Sequence, residues 1–279
     1  MPESKFVTAN GLRLHYLDFG NESSPPIVCI HGLTANAHSF DGVAPQLAHR
    51  YHVISVDVRG RGESQWGAYN DYALPAYVND LNAMLVALNI PRTSLIGTSM
   101  GGMISMTFAV LFPAKVERIV LNDIGPEIDP AGLKRIMDYV IEPPQEFKNI
   151  GEVVAYYRDI YPPITKHPEQ DVIEWVKWSI KPTDHGTLTW KMDPGVRRAL
   201  REALNVPPPQ IDTWKPYAAI KAPILVVRGG DSDILSLATA RKMCELSPNT
   251  RMVEIPGVGH APFLTEPIAV KAMAEFFGV

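Results

Sequence analysis

Short apolar runs alternate with longer amphipathic stretches through the first part of the chain. Residues 6–8 and 12–19 read as two strands joined at Asn10-Gly11, a dipeptide suited to the positive φ angles of a tight hairpin. After the Pro25-Pro26 break, residues 27–30 are apolar on both faces, as a strand inside a parallel sheet should be. Residues 36–50 read as a helix and His52–Val56 as a strand. Residues 72–89 follow as a helix with Tyr77, Leu81, Met84, Leu85 and Leu88 at helical spacing. Residues 93–97 predict a strand that runs into Ser99, 101–112 a helix, and 116–121 another buried strand.

That alternation stops near Asp123. Residues 125–217 read as proline-broken helices with no convincing strand, the candidates being Pro130–Ile141, Ile150–Ile160, 168–180 and Pro194–Leu204. Strand and helix alternate again at 223–228, 238–246, 251–255 and Pro267–Phe277. Buried strands separated by helices predict an α/β architecture, a parallel sheet covered on both faces. The interruption predicts one core domain, 1–124 with 218–279, carrying a helical insertion at 125–217.

Composition narrows the class. The chain has 279 residues, 46% of them hydrophobic, enough to bury a substantial core. A formal net charge of −4 and scattered lysines and arginines give no electrostatic reason to expect nucleic acid or an anionic membrane as partner. Two cysteines, Cys29 and Cys244, are too few for a disulfide framework. Met1 to Lys5 lacks a secretory apolar segment, and no apolar stretch approaches the about 18 residues that span a bilayer. The expectation is a cytoplasmic protein, monomer or homodimer.

Gly97-Thr98-Ser99-Met100-Gly101 has the form G-x-S-x-G, between an apolar strand and an apolar helix. In that context a sharp strand-to-helix turn pushes the serine hydroxyl up at the sheet edge, and small residues must flank it. With this motif the whole chain resembles the α/β-hydrolase superfamily. The resemblance implies a mostly parallel eight-stranded sheet with helices on both faces and an inserted helical lid. It implies Ser99 as nucleophile, and an oxyanion hole from the backbone N–H groups of Leu33, in His31-Gly32-Leu33, and Met100. The His31 ring is read as a brace for that loop. The segment Asp57-Val58-Arg59-Gly60-Arg61-Gly62-Glu63-Ser64 is a further family hallmark, read as architectural.

His260, in Gly259-His260-Ala261-Pro262 with Glu266-Pro267 following, occupies the family's place for the general base. His15, His38, His49, His52, His167 and His185 lack such a context. The acid has two candidate sites. After the strand at 223–228 the family pattern, counted without a gap from Gly229, falls on Ser232; counted from Gly230 it falls on Asp233. The preceding core strand instead ends in Asp123, where some esterases and the dehalogenase branch carry their acid. Asp123-Ile124-Gly125-Pro126 together with Gly229-Gly230-Asp231-Ser232 favours Asp123, with Asp233 as the alternative.

The insertion supplies Tyr156, Tyr157, Tyr161, Trp175, Trp178 and Trp190, of which Tyr157 and Trp190 are the expected substrate contacts in a mostly apolar pocket. Arg158, Arg197 and Arg198 are candidates for a substrate carboxylate, with a solvated face preferred for each. The expected reaction is hydrolysis of a small carboxylic ester or lactone through an acyl-serine, with no metal and no organic cofactor. Two alternatives stand beside it. One is carbon–carbon hydrolysis of meta-cleavage diketones, whose branch usually has tryptophan after the histidine, where this chain has Ala261. The other is a ligand-binding protein on a silent triad.

Overall fold

A computed structural model describes residues 2–161, 164, 168–206 and 212–279, so His167 lies outside the described residues. Strands β1 (Glu3–Ala9) and β2 (Leu12–Asp18) form an antiparallel hairpin, turned at Asn10 and Gly11 with φ of 50° and 74°. β3 (Pro26–Ile30) and β4 (His52–Val56) pair in parallel. β3 shows why such a strand reads as continuously apolar. Ile27 and Cys29 face one hydrophobic cluster and Val28 and Ile30 face the other, so both pleat faces are buried. Each such side chain contributes roughly 1.5–3 kcal/mol of burial.

Between β3 and β4 the expected single helix is broken. A 3₁₀ turn, Ala37–Phe40, is followed by the short helix α1 (Ala44–Leu47), with Gly42 and Pro45 at the break. Proline lacks the N–H needed to continue the ladder, and so starts a new helix instead. Helix α2 (Leu74–Ala87) precedes β5 (Thr93–Thr98), which enters α3 (Met100–Leu111) through Ser99 alone, and β6 (Val116–Asn122) follows.

After β6 come α4 (Pro130–Ile141), β7 (Glu146–Phe147), α5 (Ile150–Ile160) and α6 (Glu169–Val176). Then come β8 (Ile180–Pro182), β9 (Leu188–Trp190), α7 (Pro194–Leu204) and α8 (Trp214–Ala218). The expectation that this stretch holds no strand is overturned: β7, β9 and β8 pair antiparallel into a small three-stranded sheet. Runs of two or three residues are too short for period-two alternation to register. The helix expected at 168–180 likewise ends at Val176, and its last residue opens β8. This region has its own hydrophobic cluster around Val153, Tyr157, Val172, Val176 and Trp190.

The chain returns to the main sheet with β10 (Ile224–Gly229), α9 (Leu237–Leu246), β11 (Thr250–Ile255) and α10 (Pro267–Phe277). The eight strands lie in the order β1-β2-β4-β3-β5-β6-β10-β11, parallel from β4 onward. β5, β6 and β10 are thus neighbours whose carboxyl ends open on one edge, where open parallel sheets place their ligands. No helix among the described residues is long and apolar enough to cross a membrane.

Candidate active site

Ser99 occupies the one-residue junction of β5 and α3 with φ 51° and ψ −114°, a conformation that a side chain rarely adopts. Backbone packed tightly around it holds it there. A Cβ on Gly101 would run into the Ile30 carbonyl, and one on Gly97 into the Gly101 carbonyl. Strained and over-determined in this way, the Ser99 hydroxyl stands free of the helix and reaches His260 Nε2 at 2.9 Å.

His260 is in the loop between β11 and α10, and its Nδ1 lies 2.8 Å from Asp123 Oδ2. Asp123 follows β6 directly and is fully buried, with φ of 56°. Its other oxygen accepts from the Gly229 N–H at 2.8 Å, and Oδ2 also accepts from the Ser232 hydroxyl at 2.6 Å. The Ser232 oxygen itself receives the Ile234 and Leu235 N–H groups, so its own hydrogen is left for the carboxylate. An ionised carboxylate only accepts, so Nδ1 carries the imidazole proton and Nε2 is left to accept from Ser99. A serine proton can therefore pass to Nε2 while the carboxylate balances the resulting imidazolium.

Asp233 is not part of this line. Its carboxylate forms a two-pronged pair with Arg135, with Nη2 to Oδ1 at 2.8 Å, and this guanidinium, more than any other cause, holds its pKa down. Ser232, at the position counted from Gly229, sits against Asp123 instead; sequence spacing marked the place but not this contact.

Leu33 and Met100 line the cavity together with Ser99. Met100 is the first residue of α3, where backbone N–H groups have no partner inside the helix. Leu33 N–H shares a peptide unit with the Gly32 carbonyl, and His31 Nδ1 bonds that carbonyl at 2.6 Å, turning the N–H the opposite way. His31 Nε2 accepts from the Val58 N–H at 3.0 Å. Burial pushes the His31 imidazole down to about 4, so it stays neutral in this brace.

A cavity of about 480 Å³ opens over Ser99 and His260. Its lining includes Leu74, Met103, Ile136, Met137 and Leu200, and no Asp, Glu, Lys or Arg among the described residues. Tyr157 lines it. Trp190 does not, and that expectation is corrected: its indole N–H donates to the Pro144 carbonyl at 2.7 Å and its ring packs against Phe147, Tyr156 and Tyr157. A ring that completes a small core has no face left for a ligand. Arg197 also departs from the expected solvated face; it is buried over the Trp190 ring, while Arg198 pairs with Glu202. Tyr161, unassigned from sequence, lines the cavity and accepts the Ala261 N–H at 3.0 Å, tying the insertion to the His260 loop. No group of three or more His, Cys, Asp or Glu among the described residues could hold a metal ion.

A serine, an imidazole and a carboxylate in line beneath a sheltered cavity, at the carboxyl edge of this sheet, define a hydrolase of the α/β type. The chain belongs to the α/β-hydrolase fold family, whose model matches residues 25–152 and 143–267. It is 36% identical over 275 residues to a 3-hydroxybutyrate-oligomer hydrolase of Cupriavidus necator, covering 95% of this chain and 92% of that one. A crystal structure of an α/β hydrolase from Novosphingobium aromaticivorans superposes with a TM-score of 0.89 at 33% identity, over 99% of this chain and 98% of that one. The structure of E-2-(acetamidomethylene)succinate hydrolase superposes with a TM-score of 0.88 at 26% identity, over the whole of both chains.

Proposed function

We propose that this hydrolase cleaves carboxylic esters or lactones with an apolar acyl portion through an acyl-serine at Ser99. The observation that carries the reading is the continuous line from Ser99 Oγ through His260 to the buried Asp123, opening into an apolar cavity. In this reaction Ser99 Oγ bonds to the acyl carbon as its proton moves to His260 Nε2. The negative charge on the carbonyl oxygen meets the Leu33 and Met100 N–H groups. The C–O bond to the alcohol then breaks, and the alkoxide takes the proton from His260. Water repeats the sequence, adding to the acyl carbon and releasing the acid and free Ser99. The described residues of the insertion 125–217 act as the cap of the site, contributing Leu133, Ile136, Tyr157 and Trp175 to the cavity wall.

The ester reading draws further support from the relative in Cupriavidus necator, named for a 3-hydroxybutyrate oligomer, whose units are joined by ester bonds. The test is fluorophosphonate labelling of the intact protein, followed by a turnover screen of acyl esters, lactones and meta-cleavage diketones. Expected are labelling at Ser99 and turnover of neutral esters or lactones. An unlabelled serine would return the chain to ligand binding, and turnover of diketones alone would replace the ester reading.

A further inference from the structure

We propose that Arg61 is a positioning residue for the oxyanion hole, touching both of its donor residues and lending them a positive charge that no direct ion pair neutralises. The inference rests on the acyl-serine reading above. Three charged side chains come from the Asp57-Val58-Arg59-Gly60-Arg61 turn, and the structure treats them differently. Asp57 bonds the His15 ring at 2.6 Å and lies against the backbone at Gly62, beside Arg61, while Arg59 pairs with Asp80 and Asp71. Arg61 is fully buried, yet no carboxylate among the described residues lies within ion-pair distance of it. A desolvated cation without a counter-ion is expensive, so its partners matter.

Those partners are all neutral, and two belong to the oxyanion residues. Nε donates to the Leu33 carbonyl at 3.2 Å, and Nη2 contacts Met100 Sδ at 3.6 Å. Nη1 donates to the Arg59 carbonyl at 2.9 Å and the Tyr77 hydroxyl at 3.0 Å. One planar group therefore spans the two residues whose N–H groups face the reacting carbonyl. Its fork holds the Leu33 carbonyl and the Met100 side chain, while His31 bonds the Gly32 carbonyl of the peptide that carries the Leu33 N–H. Arg61 does not line the cavity, so it acts through Leu33 and Met100 rather than on substrate. A cation held behind these residues without a direct ion pair does little for a neutral ester and more for the tetrahedral oxyanion, which is the differential binding that raises kcat.

The test compares wild type with Arg61→Lys, Arg61→Met and Met100→Leu. The readouts are kcat, KM, thermal unfolding and affinity for an alkyl boronic acid, which adds Ser99 Oγ to boron and mimics the tetrahedral anion. Expected for Arg61→Met is a loss of about 10²-fold in kcat and a similar loss in boronic-acid affinity, with KM within about threefold. Arg61→Lys keeps the charge without the fork and should fall between Arg61→Met and wild type. Met100→Leu, close in volume and safe for folding, should weaken the boronic acid several-fold. Folded Arg61 variants with undiminished boronic-acid affinity would overturn the inference. So would unfolded Arg61 variants together with a Met100→Leu protein that binds like wild type. A wild-type protein that neither turns over an ester nor binds the boronic acid defeats the hydrolase reading itself; one that does both isolates the failure to Arg61.

Discussion

The two walls of the cavity are built from different forces. On the sheet side, polar atoms are committed in short, directed bonds: Asp123 alone takes up Gly229, Ser232 and His260 at 2.6–2.8 Å. Behind the side supplied by α4 to α7, rings meet edge to face, with Trp190, itself outside the cavity lining, at 5.2, 5.7 and 6.1 Å from Phe147, Tyr156 and the lining Tyr157. Directed bonds lose their effect within about an ångström of misplacement, whereas dispersion contacts yield gradually. The sheet wall is thus suited to chemistry and the ring wall to shape. Substitutions should sort accordingly.

The largest effects belong to the sheet wall. Ser99→Ala should lower kcat about 10⁴–10⁶-fold with the melting temperature nearly unchanged. Asp123→Asn should cost about 10⁴-fold, since the imidazole would lose its proton-holding partner. Asp233→Asn, removing only a half-exposed pair with Arg135, should stay within a few-fold of wild type. If steady-state rates reverse that order, the contrast fails at its centre. Trp190→Ala tests the packing behind the opposite wall: a loss of about 3–5 kcal/mol of stability by denaturant unfolding is expected, with Ser99 still reactive to fluorophosphonate in the folded fraction. Loss of labelling without loss of stability would mean that the ring wall takes part in the chemistry.

A smaller effect separates bracing from catalysis on the sheet side. The His31 imidazole is held down at about 4 by burial, against an ordinary value of 6.5. Between those values the unfolded chain binds a proton that the native chain excludes, so this contribution is fully present above pH 6.5 and fades as pH falls toward 4. The loss amounts to about 3 kcal/mol. Calorimetry between pH 7 and 4.5 should show a steeper fall in melting temperature for wild type than for His31→Gln. Equal slopes would remove His31 from the brace.

The strands around the site were legible because burial on both faces leaves runs such as 27–30 and 116–121 without polar interruption. Ser99 and His260 stood out through glycine-flanked loops at the expected places. The acid did not, for a geometric reason: β6 and β10 are adjacent, so carboxylates after either strand lie near the same imidazole. What separates them is Arg135, 98 residues from Asp233 in sequence, and the Ser232 hydroxyl, neither visible in spacing. Trp190 was misread because aromatic residues of the insertion fill its own core, and helical spacing cannot tell a ring facing inward from one facing a ligand. β7 to β9 escaped notice because pairing, not local preference, makes such short strands.

The absence of Asp, Glu, Lys and Arg from the described cavity lining reaches beyond selectivity. Screening by dissolved ions weakens only the pull between charges, and this chamber offers a neutral guest nothing for it to weaken. Uptake of such a guest should not weaken from dilute buffer to brine, because its driving force is water's reluctance to hold the acyl chain, which excluded salts only increase.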